Sequence, residues 1–260
     1  GITHRDVEKY EEALRDIGQA IELDPKYAWA FAQRGVTYRD VEKYEEALRD
    51  MNQALELDPK QTWVLTQRGI TYRDMTKLEE ALVDMNQAIK LDPKDAWGFA
   101  QRGITYREMK MLEEALGDMN QTIELNPKDD WPFVQRSVIY RAMGKYEEAL
   151  KDIGLAINIA PNSAWLYYEF SLINLIRNEI NEADEKLKQA IKLSDQQFQK
   201  KPNNWINTFN LALFYLAASK FEESEKIYRD VLENNVPAFI IKDAQQDLKE
   251  FLLLFPNNDF

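Results

Sequence analysis

The sequence predicts an all-α solenoid, a stack of helix–turn–helix units finished by a capping helix. Three periodic series carry that prediction. Pro25, Pro59, Pro93, Pro127 and Pro161 recur every 34 residues. Trp29, Trp63, Trp97, Trp131 and Trp165 keep the same interval, and so do Ala13, Ala47, Ala81, Ala115 and Ala149. A fixed period of this length marks identical supersecondary units stacked on their neighbours, not a fold closed around one centre.

The unit at 62–95 shows why each element forms. Leu65, Gly69 and Tyr72 fall at i, i+4 and i+7, one face of a first helix. Leu78, Ala81, Leu82, Met85, Ala88 and Ile89 make the stripe of a second. Met75, Thr76 and Lys77 form the turn between them. Pro93 ends the second helix, because proline disfavours helical geometry in the preceding residue and has no N–H to donate. Glu79 and Glu80 stand in the first turn of that helix, where the macrodipole favours anions. Gly35, Gly69 and Gly103 face Ala47, Ala81 and Ala115, so paired helices can approach closely, and a bulky residue there would overpack the seam. Met51, Met85 and Met119 read as core filler.

Counted on this period, residues 1–260 form a single array. A partial repeat occupies 1–27, full repeats 28–61, 62–95, 96–129, 130–163 and 164–202, a degenerate repeat 203–235 and a capping helix 236–260. Residues 1–6 align with 69–74, so the front half of a first helix is missing. The expectation is a piece of a longer array whose uncapped apolar end invites homo-oligomers. After Pro161 the closing proline is delayed to Pro202, which predicts a long helix over 179–200. In 237–255, Phe239, Ile240, Ala244, Leu248, Phe251, Leu252 and Phe255 share an apolar face. Lys242, Asp243, Gln246, Asp247 and Lys249 lie opposite, toward solvent.

One position breaks the apolar pattern. Arg34, Arg68, Arg102 and Arg136 stand one residue before the small residue of the first helix. The second helix of the same unit carries Asp50, Asp84, Asp118 and Asp152. Both are lost together later, as Phe170 with Lys186 and Leu211 with Ile227. This joint loss predicts an ion pair tying helix to helix, and removing one member alone would cost about 3–5 kcal/mol.

Phe31, Gly35, Tyr38, Ala47, Ala54 and Pro59 make one full copy of a pattern that resembles the tetratricopeptide repeat. The resemblance covers nearly the whole chain. It implies a right-handed superhelix in which first helices line a concave groove. It also implies a non-catalytic scaffold that docks a peptide or helix of a partner protein there. The alternative is a structural spacer or self-association module within a larger signalling protein. Near-identical tandem copies of this kind are frequent in large bacterial proteins that join repeats to an effector domain.

The groove residues so implied are Trp29, Trp63, Trp97 and Trp131, then Gln67 and Gln101, then Ile70 and Ile104, with Arg39, Arg73, Arg107 and Arg141 beside them. Tryptophan and arginine are enriched among binding hot spots, and an arginine fork suits carboxylates. Each tryptophan has an equal claim to packing between repeats, and each arginine to pairing with Asp40, Asp74 or Glu108. The family's clamp for C-terminal carboxylates looks absent, since Ala32, Thr66 and Ala100 stand where its polar groups would be.

Composition excludes much else. A net charge of −12 argues against nucleic acid, whose phosphates need a basic footprint. The chain has no cysteine, which removes disulfides and thiolate chemistry and fits a cytoplasmic setting. No apolar run is long enough to span a membrane. His4 has no second histidine with which to hold a metal. Acid pairs such as Glu45 and Glu46 read as solvated helix starts, and no phosphate loop or nucleophile elbow appears. No cofactor and no catalytic residue is expected.

Overall fold

The computed structural model describes residues 4–201, 204–234, 236 and 238–254, with side chains at all of these except 4–8, 232, 238 and 239. The alignment of residues 1–3, the side chains of His4, Arg5 and Phe239, and Pro202, Pro237 and Phe255 lie outside the described residues. Among those described, every regular element is an α-helix.

The helices fall into two compact units. The first spans His4–Ile139. After α1 (His4–Leu23), hairpins form from α2 (Ala28–Asp40) with α3 (Tyr44–Leu57), α4 (Thr62–Asp74) with α5 (Leu78–Leu91), and α6 (Ala96–Glu108) with α7 (Leu112–Leu125). Each second helix packs on the next first helix, α3 on α4 and α5 on α6, and successive first helices also touch. The division falls within α8 (Trp131–Ala142). The second unit begins at Tyr140 and holds α9 (Tyr146–Ile159), α10 (Ala164–Ile176), α11 (Ile180–Lys200), α12 (Trp205–Ala217), α13 (Phe221–Leu232) and α14 (Ala238–Leu254). There α10 pairs with α11 and α12 with α13, while α14 packs on α12. Both units are built hairpin on hairpin, the solenoid construction that the period predicts.

Helix ends follow the residues that stop them. Asp58 and Asp92 precede prolines, and their φ/ψ of −143°/93° and −132°/90° are the extended values that proline imposes on its predecessor. The long helix expected from the delayed proline is present: α11 runs from Ile180 to Lys200.

The hairpin turns hold something the sequence reading did not contain. Glu42, Thr76, Lys110, Asn178 and Ser219 all have positive φ near 60°, and Gly144 occupies the same place in its turn. In each turn two N–H groups fold back on the helix. Thr76 N–H donates to the Arg73 carbonyl at 2.7 Å and Lys77 N–H to that of Tyr72 at 2.9 Å. This is the Schellman arrangement, which satisfies carbonyls left open at a helix end.

Packing inside a hairpin is close because the first helix carries glycine. A Cβ built on Gly35 would stand 2.8 Å from Met51 Cγ and 3.0 Å from the Ala47 carbonyl oxygen. The methionines that fill these seams, Met51, Met85 and Met119, are fully buried.

Two expectations for α14 are corrected. Leu252, placed on the buried face, is exposed. Asp247, placed toward solvent, is half-buried close to Tyr168, Glu169 and Tyr228. Phe251 sets this orientation: it sinks into a cluster with Tyr168, Leu172 and Phe214, and Asp247, one turn before it, turns inward too.

Candidate functional site

Three of the four Arg–Asp pairs can be described within one unit, and all three are bidentate. Arg34 meets Asp50 at 2.6 and 2.8 Å, Arg68 meets Asp84 at 2.6 and 2.7 Å, and Arg102 meets Asp118 at 2.8 and 2.7 Å. The hydrogen bonds that the guanidinium groups donate to these buried aspartates, with burial opposing, hold the guanidinium pKa values above their usual range. Each arginine from the second of the series onward also reaches back one hairpin. Arg68 donates to Asn52 at 2.6 Å, Arg102 to Asn86 at 2.7 Å and Arg136 to Asn120 at 2.7 Å. One guanidinium therefore ties two hairpins. Where the pair is lost, Lys186 Nζ sits 5.6 Å from the centre of the Phe170 ring, so a cation–π contact takes its place.

The second arginine series links each first helix to the next. Arg39 donates to the Gln67 side-chain oxygen, Arg73 to that of Gln101 at 3.1 Å, and Arg107 to that of Gln135 at 2.9 Å. Each link spans 28 residues, from the end of one first helix to the middle of the next. Acids add to it: Arg39 lies 3.0 Å from Asp40 and 4.0 Å from Asp74, and Arg73 lies 3.8 Å from Glu108. Burial lowers the Arg73 pKa and raises those of Asp74 and Glu108, the opposite charges working against both shifts. In the second unit Arg141 meets Glu169 at 3.3 Å. Glu169 is buried, which pushes its pKa up against the pull of Arg141.

Sequence reasoning listed the glutamine and arginine columns side by side and missed that they join. The signal was present in the fifth repeat, where glutamine becomes Glu169 opposite the last arginine, Arg141.

The tryptophans differ along the column. Trp29 is 53% exposed and lies 5.8 Å from the Tyr27 ring. Trp131 is 38% exposed. Trp63 is half-buried on a cluster that includes Ala32, Met51, Leu55 and Leu65. Trp97 is half-buried, as are Ile70 and Ile104. Thr66, read as facing the groove, is fully buried, and Ala32 and Ala100 are buried too. Side chains buried in this way are not offered to a ligand as a clamp.

The strip thus combines fixed arginine–glutamine pairs with partly open indole and aliphatic surface. Each glutamine oxygen accepts from an arginine, and its amide N–H groups take no part in that link.

A family model described as tetratricopeptide repeat matches residues 28–61, and a second of the same description matches 64–95 and 133–163. No curated protein matches the sequence significantly. Among solved structures, a tetratricopeptide repeat protein from Parabacteroides merdae is similar over 93% of either chain, with 18% identity and a TM-score of 0.64. MamA from Desulfovibrio magneticus is similar over 65% of this chain and 96% of its own, with 17% identity and a TM-score of 0.59. YrrB, described as having an unusual peptide-binding site, is similar over 79% of this chain and 98% of its own, with 21% identity and a TM-score of 0.55. At such identities the structural likeness speaks for the fold and the sequence models for the repeat: residues 28–61, 64–95 and 133–163 are tetratricopeptide repeats, set in an all-α array of helical hairpins.

Proposed function

We propose that this protein is a non-catalytic interaction scaffold that docks a segment of a partner protein along the first-helix face of His4–Ile139. One observation carries the reading: a continuous strip of tryptophan, isoleucine, glutamine and arginine that the core leaves partly open. Trp29 and Trp131 supply large apolar contacts at its ends, the residue type that dominates binding energy. Ile70 and Ile104 lie between them on the same helical stripe. The arginines, held by glutamine, arrive with little side-chain freedom left to lose, which favours binding. The peptide-binding description of YrrB supports the class of ligand. Arginine forks engaged with glutamine favour a polar or main-chain-rich segment over a run of carboxylates.

The test is a peptide-array screen followed by calorimetry on the strongest binder. Trp63→Ala with Arg73→Ala should weaken that binder by at least about tenfold, the loss expected on removing a hot spot. A screen with no binder, or a binder indifferent to both changes, refutes the reading.

A further inference from the structure

A cavity of about 260 Å³ opens between α10, α12 and α14. Trp165 walls it from α10, and Phe209 and Asn210 from α12. Asp243 and Asp247, one turn apart on α14, face it with Ala244 between them. Small-molecule sites run from about 300 to 1,000 Å³, so this space suits a single long side chain instead.

Its charge is unbalanced. Elsewhere on first-helix faces a carboxylate has an arginine: Asp74 has Arg39, Glu108 has Arg73 and Glu169 has Arg141. Asp243 and Asp247 make no ion pair and no side-chain hydrogen bond among the described residues. The groups facing Asp247 add no second cation. They are Tyr168 and Glu169 from α10, Tyr228 from α13, and Asp243 and Glu250 from α14, with Arg141 already paired to Glu169. Burial first, then repulsion from Glu250, Asp243 and Glu169, raises the Asp247 carboxyl to about 6. Trp165 packs against Tyr168 and Phe214, at ring distances of 5.2 and 6.3 Å, and is fixed as one wall.

Two unpartnered carboxylates beside an indole and apolar walls are complementary to an ammonium or guanidinium on an aliphatic stem. We propose that this cavity binds a lysine or arginine side chain of a partner polypeptide, the aliphatic stem lying against Trp165 and Phe209 and the cation between Asp243 and Asp247. The site belongs to the second unit and is independent of the docking read for His4–Ile139, so either can fail alone.

The experiment uses the full chain, nitrogen-15 labelled, titrated with two blocked tripeptides, leucine–lysine–leucine and leucine–norleucine–leucine. They match in shape and differ in charge. The lysine peptide should shift the Trp165 indole and the amides of Asn210, Asp243 and Asp247. It should bind at least about tenfold more tightly than the norleucine peptide and weaken severalfold as salt rises from about 0.05 to about 0.3 M. Affinity should rise with pH from about 5 to about 7, because Asp247 loses its proton across that range. D243N and D247N should each weaken lysine binding about fivefold or more, since each removes one of two close charges. Equal binding of the two peptides overturns the proposal, and so does absence of the shifts at about 10 mM peptide, a concentration past the affinity expected of one buried contact. Those comparisons use the unaltered chain, so a variant that loosened α14 would leave the test intact.

Discussion

At the residue scale, Arg68 shows how one side chain can set the spacing of the stack. It accepts nothing and donates in three directions' worth of geometry: twice to Asp84 in its own hairpin and once to Asn52 in the one before. The Asp84→Ala substitution leaves that guanidinium without its carboxylate, and stability should fall by about 3 kcal/mol in urea titrations. Replacing both members, Arg68→Met with Asp84→Leu, should restore all but about 1 kcal/mol, since no uncompensated charge is left. If the double replacement were as damaging as the single one, the pair would be a net stabiliser beyond its charge balance. The pairing itself was legible in the sequence, because arginine and aspartate vanish together at Phe170 and Lys186. The asparagine was not, since nothing in the column of Asn52, Asn86 and Asn120 distinguishes a solvated residue from a partner one hairpin away.

At the element scale, the hairpin turn matters more than its composition suggests. Thr76 has φ of 59°, a region unfavourable for a β-branched residue. The adjoining helices over-determine it through the two folded-back N–H groups. Thr76→Gly removes the clash between Cβ and backbone and should raise stability by up to about 1 kcal/mol, because the left-handed penalty exceeds what glycine adds in chain entropy. A thermal melt reads the gain; a loss would mean that the Thr76 hydroxyl, bonded to the Met75 carbonyl at 2.6 Å, outweighs the strain. Positive φ could not be read beforehand, since glycine marks only the Gly144 turn. Helix ends were legible for the opposite reason: proline acts on its immediate predecessor, a purely local effect. The orientation of α14 depends on Phe251 and a distant cluster, and periodicity alone placed Asp247 on the wrong side.

At the scale of the whole molecule, contacts run between neighbours in sequence. In the first unit α2 packs with α3, α3 with α4 and α5 with α6, so a local defect has few routes outward. Gly35→Ala puts a Cβ against Met51 and the Ala47 carbonyl and should cost about 2 kcal/mol. Hydrogen exchange should show the loss of protection concentrated in α2, α3 and α4 and small in α7. Gly117→Ala is the control: nothing lies within 4 Å of its Cβ, and it should gain up to about 1 kcal/mol from helix propensity. Uniform loss along the unit in the first variant would mean strong coupling between hairpins. The fold was readable because each repeat states the same rules again. The groove was readable only in part, because the role of Trp29 or Trp63 turns on exposure, which differs between copies of one letter.

The arginine-to-glutamine links also bear on how such a chain can change length. Donor and acceptor sit in adjacent copies of one phrase, 28 residues apart. A genetic exchange that duplicates or excises one whole phrase hands every guanidinium another glutamine, whereas a gain or loss of any other length strands one. At Arg141 the acceptor changes to Glu169, yet a whole phrase inserted between them would still satisfy both, glutamine against Arg141 and the new arginine against Glu169. The near-identical repeats are therefore interchangeable parts, and the Glu169 rung is the fitting that joins them to the part of the chain where the phrase fades.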